Sequence, residues 1–171
     1  MTGRGVQSER TERAITLRVR AATPEDLDVI VELRLALIRE HRDSRIYGRV
    51  RGDAPLRARS LFQSQLRSSS EVTLLAEQQA AIVGILRCID TAGLPLLDPP
   101  RYGYISSVYV RPSARRQGAL KALLHEAERW CHLRGLDEMR LHNSVENPVS
   151  NASWDALGFE IAEHLRVRPV R

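Results

Sequence analysis

Apolar and polar positions alternate with two different periods along the chain, which predicts a mixture of strands and helices. Residues 15–21 (ITLRVRA) alternate in the manner of a half-buried strand. Residues 23–26 (TPED) combine a Thr N-cap, a proline and two acids, which is typical of a helix start. The helix that follows carries an apolar stripe with spacings of three and four residues: Leu27, Ile30, Val31, Leu35 and Ile38.

The middle of the chain predicts one more helix and then three strands. Residues 42–54 show no periodicity, so we expect a loop there, and Pro55 is placed to open the second helix. Two apolar runs at residues 71–77 and 80–89 predict a hairpin. A loop with Gly and Pro residues separates them from a fourth strand at residues 102–110.

The last third of the chain returns to alternating helices and strands. A long amphipathic helix is predicted over residues 117–133 and a fifth strand over residues 138–142. A short helix at residues 150–157 and a last strand or hairpin at residues 159–168 complete the pattern. Because a helix connects the fourth and fifth strands, we expect these two strands to be parallel, joined by a right-handed crossover.

These elements predict one mixed α/β (α+β) domain in the order β-α-α-β-β-β-α-β-α-β. We assign residues 1–13 to a flexible N-terminal tail and residues 14–171 to the domain. The chain has 171 residues, of which 43% are hydrophobic and 27% charged, as in ordinary globular domains. No apolar run approaches the roughly 20 residues of a membrane helix, and no secretory signal is visible, so the sequence predicts a cytoplasmic protein.

Charge and cysteine content narrow the classes of function. The formal net charge is +5, and the basic residues are almost all arginines that are scattered along the chain without a nucleic-acid-binding motif. We therefore expect no nucleic acid partner and no membrane partner. The two cysteines and five histidines lack the spacing of metal ligands, so no metal is expected. Four basic residues nevertheless cluster: Arg111, Arg115, Arg116 and Lys121.

That basic cluster lies where a strand runs through a loop into a helix, at residues 108–124 (VYVRPSARRQGALKALL). The first turn of a helix presents backbone N–H groups without partners, which suits a phosphate or pyrophosphate. Gly118 would let such a ligand approach the backbone closely. A plain strand–turn–helix with a turn glycine is the alternative, since the spacing of a P-loop or a dinucleotide fingerprint is absent.

A second motif makes the pattern specific. Residues 147–159 (NPVSNASWDALGF) follow the basic loop in the order expected for one enzyme family. Together with residues 108–112 (VYVRP) and 115–120 (RRQGAL), they resemble the GNAT superfamily of acetyl-coenzyme A-dependent N-acetyltransferases. The resemblance extends from about residue 15 to residue 168, because the predicted elements also occur in the order of the GNAT fold.

The resemblance implies acetyl-coenzyme A as co-substrate and an amine as acceptor. The pantetheine arm is expected to pair with the backbone of the fourth strand at Val108, Tyr109 and Val110. The acceptor would be a small-molecule or peptide amine, and the family includes both monomers and dimers, which leaves a homodimer open. The pyrophosphate is expected on the amides of these residues: Arg115, Arg116, Gln117, Gly118, Ala119 and Leu120.

Two residues depart from the family pattern. Leu120 stands where Gly or Ala is usual, so it must point into the core if it is not to crowd the pyrophosphate. Trp154 stands where the family often has a tyrosine that protonates the leaving thiolate, and an indole N–H is a donor but not a usable acid. Trp154 is therefore expected to pack against the pantetheine, with core filling as the alternative.

The proton-transfer and acceptor residues are the least defined part of the site. The fourth strand carries no carboxylate, so His142 at the end of the fifth strand is the candidate base, with Glu146 as a weaker one. Asn147 is expected to contact the pantetheine region, or to cap a helix instead. The candidate acceptor residues lie after the first helix, where their charges are alternatively only solvated: Glu40, His41 and Tyr47, with Asp43 and Asp53 nearby.

The sequence thus predicts an N-acetyltransferase in which the amine attacks acetyl-coenzyme A directly. A catalytically weak or inactive acyl-coenzyme A-binding module of the same fold, acting as a sensor or partner domain, is the alternative. Leu120 and Trp154 are the residues that keep this alternative open.

Overall fold

A computed structural model describes residues 16–170, so the predicted tail at residues 1–13 lies outside the described residues. Short 3-10 turns at Pro24–Asp26 and Pro112–Ala114 precede the first and third α-helices. The five strands are β1 (Leu17–Ala21), β2 (Glu71–Gln78), β3 (Ala81–Ala92), β4 (Arg101–Val110) and β5 (Met139–Leu141). The four helices are α1 (Leu27–Glu40), α2 (Ala54–Leu66), α3 (Ala119–Leu133) and α4 (Pro148–Ala156).

The strands form one mixed sheet in the order β1-β2-β3-β4-β5. The pairs β1–β2, β2–β3 and β3–β4 are antiparallel, whereas β4 and β5 are parallel, which confirms the prediction for the two strands that flank α3. The β2–β3 hairpin turns through only two residues, Gln79 and Ala80, both with positive φ (51° and 64°). This is the primed turn geometry that matches the twist of the paired strands.

Helices cover both faces of the sheet. Because consecutive strand residues point to opposite faces, the neighbours Leu74 and Leu75 contribute to different hydrophobic clusters. Leu75 joins the cluster formed with α1 and α2, in which Leu33 and Phe62 are buried. Leu74 joins the cluster formed with α3 and α4, in which Leu123 and Trp154 are buried. The sheet therefore separates an α1/α2 side from an α3/α4 side.

The prediction of a last strand or hairpin at residues 159–168 is wrong for this structure, which assigns no strand there. The apolar side chains of residues 159–168 are largely exposed, with Ile161 at 79% and Leu165 at 70% of full exposure. A strand also needs a hydrogen-bonding neighbour, and β5 is only three residues long. Alternating apolar and polar residues show which side chains would share a face of a strand, but a strand also requires a neighbouring strand to pair with.

Arg20 joins three elements at the β1 edge of the sheet. Its guanidinium donates two hydrogen bonds to the Asp26 carboxylate, at 2.6 and 2.8 Å, and one to Glu77 of β2 at 2.6 Å. Asp26 also accepts a hydrogen bond from the backbone N–H of Thr23 at 2.8 Å, which fixes the turn that starts α1. The Arg20 guanidinium lowers the pKa of Asp26 from 3.8 to about 2.

We expect Asp26→Asn to destabilise the fold by about 1–2 kcal/mol at neutral pH, because Arg20 loses its bidentate partner. A carboxyl group whose pKa is depressed on folding stabilises the protein above its unfolded pKa and loses this effect as pH falls. Urea unfolding should therefore show wild-type stability dropping between about pH 4 and pH 2, with that part of the drop absent in the variant. Asp28→Asn, at an 82% exposed carboxylate nearby, should change little.

Candidate functional site

The β4 strand is paired on both sides at its start and on one side at its end. Its pairing with β5 covers only Gly103, Tyr104 and Ile105. Just beyond, Ser107 has a φ of +55°, and the β3–β4 register shifts between Ile85 and Arg87. Such a bulge bends a strand and increases its twist. The described strands β4 and β5 therefore part after Ile105, leaving the β5-facing backbone edge of residues 106–110 open.

The loop after β4 directs backbone N–H groups outward at the start of α3. Arg116 and Gly118 adopt left-handed conformations, with φ of +61° and +87°. Within residues 16–170, no backbone amide from 116 to 121 donates a hydrogen bond to a protein carbonyl or side chain. A β-carbon at Gly118 would meet no atom within 4 Å, so this position is open to a ligand. The loop has the geometry and dipole direction of an anion site.

The side chains of this loop divide between structural and open positions. Arg115 is held from both sides, since it donates to the Val110 carbonyl oxygen at 2.9 Å and to Glu40 of α1 at 2.5 Å. Gln117 donates to the Ser113 carbonyl oxygen at 2.8 Å and shapes the loop. Arg116 is exposed and forms no ion pair among the described residues. Of the predicted basic cluster, Arg116 and Lys121 therefore present the unneutralised charges.

The apolar members of the predicted cofactor site point into the core. Tyr109 is buried on the α1/α2 side, whereas Val108 and Val110 pack against the α3/α4 side. Ala119 is 3% exposed, and Leu120 packs against the same core as the two valines. The Leu120 side chain thus contributes to packing, and the amides at the start of α3 remain accessible.

The helix α4 lies beside this loop and encloses an open groove with it. The groove has a volume of about 480 Å³. It is lined by Arg116 and by one face of α4: Pro148, Val149, Ala152, Ser153 and Ala156. The loop amides, the open β4 edge and this groove, which shares Arg116 with the loop, are the candidate binding elements for an elongated ligand with an anionic group.

Asn147 and Trp154 use their polar groups within α4 itself. The Asn147 side-chain oxygen accepts a hydrogen bond from the backbone N–H of Ser150 at 3.0 Å, so Asn147 caps the helix. The Trp154 indole N–H donates to the Ser150 hydroxyl at 3.1 Å, and its ring packs edge-on against Phe159 at 5.3 Å. Trp154 is 8% exposed, so its role toward a ligand remains a prediction while its packing role is visible.

His142 follows β5 and contacts a residue that the sequence reasoning missed. The Tyr104 hydroxyl lies 3.0 Å from His142 Nδ1, and the two rings meet edge-on at 5.6 Å. Burial, followed by the nearby Tyr47 hydroxyl, raises the pKa of Tyr104, so its hydroxyl stays protonated at neutral pH. The parallel register pairs Tyr104 with Arg140, two residues before His142, and only that register would have identified the contact.

The predicted acceptor residues lie around the end of α1. Glu40 is bound to Arg115 of the loop after β4, and His41 packs against Tyr47 with ring centres 5.7 Å apart. Tyr47 is close enough to Tyr104 to disfavour ionisation of its hydroxyl. Tyr47 thus brings the α1–α2 connection near Tyr104, the partner of His142.

The described residues offer neither a metal cluster nor a membrane span. Nowhere in residues 16–170 do three or more His, Cys, Asp or Glu side chains converge as metal ligands. None of the helices in that range has the length and apolar character that crossing a membrane requires.

The family model described as Acetyltransferase (GNAT) family matches residues 34–159, about three quarters of the chain. The protein therefore belongs to the GNAT acetyltransferase family, which confirms the resemblance seen in its motifs. Over 62 residues it is 36% identical to aminoglycoside N(6')-acetyltransferase type 1 of Salmonella typhimurium, covering 36% of this chain and 43% of that one. The chain thus spans less than half the length of that curated relative.

Solved structures share the fold over nearly the full chain. An aminoglycoside N-acetyltransferase, AAC(6')-Iy in complex with CoA, superposes with a TM-score of 0.78 at 21% identity, covering 94% of this chain and 99% of that one. A predicted acetyltransferase with acetyl-CoA from Clostridium acetobutylicum gives 0.73 at 19% identity, covering 90% and 96%. These matches confirm the mixed α/β fold class predicted from the sequence.

Proposed function

We propose that this protein transfers the acetyl group of acetyl-coenzyme A to a primary amine by direct attack of the amine. The observation that carries the proposal is the open β4 edge beside the amide-rich turn at Gly118. Membership of the GNAT family supports the same reaction, and so do the similar structures described with CoA and acetyl-CoA.

The described residues suit the two ends of such a co-substrate. The backbone of Val108, Tyr109 and Val110 lies along the open edge, where an amide-containing arm can pair as an added strand would. The amides of residues 116–121 suit the pyrophosphate, with Arg116 and Lys121 supplying charge of the opposite sign. Because backbone groups make most of these contacts, the binding mode tolerates Leu120 and Val110 as core residues.

Transfer requires the acceptor to lose a proton before it attacks. An amine is mostly protonated at neutral pH, and only its neutral form has a free electron pair. His142 Nε2 is the proposed proton acceptor, with the Tyr104 hydroxyl accepting from Nδ1–H and fixing the ring. The new N–C bond then forms as the C–S bond breaks, and the sulfur leaves as a thiolate. Trp154 cannot protonate it, because its N–H is not acidic.

A coenzyme-binding module without turnover is the second candidate. It is favoured by Trp154, whose indole N–H is donated within α4 at a position where a proton donor is common in the family. An assay that measures thiol release with a panel of amines separates the two candidates. Amine-dependent release supports the transferase, whereas binding of acetyl-coenzyme A without any release supports the module.

Gly118→Asp should abolish binding of acetyl-coenzyme A, because it places a negative side chain where the pyrophosphate is expected. A ligand that binds only the folded state raises the melting temperature, so the wild-type protein should show a rise that the variant lacks. Gly135→Asp is the matched control. Gly135 also has a positive φ and an open β-carbon position, but it follows the other end of α3. An equal rise in all three proteins would contradict the proposed site.

His142→Ala should remove a pH-dependent limb from kcat/KM and lower activity at pH 7 by about 10²-fold, the lower end of the usual contribution of a positioned base. Affinity for acetyl-coenzyme A should be nearly unchanged. Tyr104→Phe should lower kcat less, because it removes only the group that orients the ring. If the pH profile of His142→Ala equals that of the wild type at full activity, solvent takes the proton instead.

Trp154→Phe should reduce activity by less than about 10-fold, because the indole does not transfer a proton. Initial rates of thiol release, with circular dichroism to verify folding, measure this effect. A folded variant that has lost more than about 10³-fold in rate would mean that Trp154 acts directly in the reaction.

A further inference from the structure

The α1–α2 connection, on the acceptor side of the opening, carries an excess of positive charge. Residues 39–59 contain seven arginines and three acids. Every one of these acids faces an arginine, so each carboxylate is offset by a neighbouring positive charge and the segment carries a net positive charge. The pairs are Glu40 with Arg115 at 2.5 Å, Asp53 with Arg51 at 3.0 Å and Arg57 at 2.5 Å, and Asp43 with Arg42 at 3.8 Å.

Three arginines, one at the end of α1 and two in the connection, have no such partner. Within residues 16–170, no carboxylate lies within ion-pair distance of Arg39, Arg45 or Arg49, and all three are exposed. The net charge near the Glu40–Arg115 contact is therefore positive, and no carboxylate of the described residues neutralises these three guanidinium groups.

Arg34 adds a fourth, partly buried cation on the same side of the sheet. Its guanidinium lies 4.3 Å above the Phe62 ring and makes one long hydrogen bond, at 3.4 Å, to the neutral side chain of Gln65. Burial and the nearby Arg87 lower the pKa of Arg34 to about 10, so it remains charged at neutral pH. Arg87 has its own carboxylate, Glu71, whereas Arg34 has none among the described residues.

The position of Arg34 connects it with the candidate catalytic pair. Arg87 acts electrostatically on both Arg34 and Tyr104, and it lies opposite Ser106 in the sheet, next to the bulge at Ser107. Tyr104 in turn contacts His142 and lies near Tyr47 of the α1–α2 connection. Arg34 and the unpaired arginines of the connection are therefore the cations on the side of the sheet from which we expect an acceptor to reach His142.

We propose that the acceptor amine also carries carboxylate groups, which Arg34 and the free arginines of the α1–α2 connection bind, and that polycationic amines are poor acceptors. This inference rests on the proposed function. It separates this chain from relatives whose names specify aminoglycosides, since an aminoglycoside carries several ammonium groups. Guanidinium groups bind carboxylates in a bidentate manner, and like charges repel a cationic competitor.

A set of acceptors that differ in charge tests the proposal. Glutamate, glutamic acid diamide and an aminoglycoside are compared per unprotonated amine, so that differences in amine pKa do not decide the result. We expect kcat/KM for glutamate to exceed that for the diamide by about 10-fold or more, the usual effect of a charged hydrogen bond. Equal values, or faster turnover of the aminoglycoside, would overturn the proposal.

Variants of the arginines give the second arm. Arg34→Met keeps an apolar contact with Phe62 while removing the charge, and the double variant Arg45→Gln/Arg49→Gln changes only exposed side chains. Both should raise KM for glutamate by about 10-fold and leave KM for acetyl-coenzyme A unchanged. Arg129→Gln, at an exposed arginine of α3 on the far side of the sheet, is the control and should change neither value. A similar loss in the control, or no loss in either test variant, would contradict the proposal.

A binding measurement keeps this test independent of turnover. The melting temperature of the coenzyme A-loaded protein is recorded with glutamate, with the diamide and with the aminoglycoside. A rise with glutamate that the diamide does not produce supports the carboxylate site even if no amine is acetylated, a result that would count against the transferase alone. Absence of any rise with glutamate, or a larger rise with the aminoglycoside, overturns the inference.

Discussion

The bulge at Ser107 of β4 is the constraint on which the rest of the site depends. Backbone N–H and C=O groups in a sheet normally find partners, and an interior strand with an unpaired edge would be costly if that edge were buried. Here β5 pairs only as far as Ile105, and beyond it residues 106–110, half-buried except for the buried Tyr109, lead toward the turn at Gly118 without a partner on the β5 side. The unpaired peptide groups are therefore the proposed binding groups for the co-substrate, and the paired half of the strand fixes their positions.

Two arginines hold helix α1 against the end of β4 and the loop that follows it. Arg111 donates to Glu32 of α1 at 2.7 Å and to the Ile82 carbonyl oxygen at 2.9 Å, and Arg115 joins Glu40 of α1 to the end of β4. Two members of the basic cluster therefore serve mainly to hold α1 against the loop. Both partners are more than 70 residues away in sequence, so the sequence alone could not separate these structural charges from those open to a phosphate.

Local patterns were sufficient for most of the fold and for the backbone part of the site. Periodicity predicted the four helices and five strands of the described residues, and Gly118 was singled out as the position where a ligand could approach the backbone closely. What local patterns missed depends on pairing between distant segments. Residues 159–168, predicted as a strand, pair with no strand among the described residues. The Tyr104–His142 contact depends on the parallel β4–β5 register. Likewise, Trp154 was expected at a ligand, but its N–H has a partner one helical turn earlier, at Ser150.

The division between backbone groups and side chains also bears on the proposed choice of acceptor. Backbone groups of β4 and of the α3 start are nearly independent of sequence, so the co-substrate half of the site can persist while side chains vary. The proposed acceptor half uses side chains of α1 and its connection to α2, where arginines in place of acids alter the potential without moving any strand. In this chain the acids Glu40 and Asp53 are used to hold arginines in place. Under the proposal for the acceptor, the remaining cations, including Arg34, select the amines that approach His142, and acceptor choice follows from charge at positions that the fold leaves free.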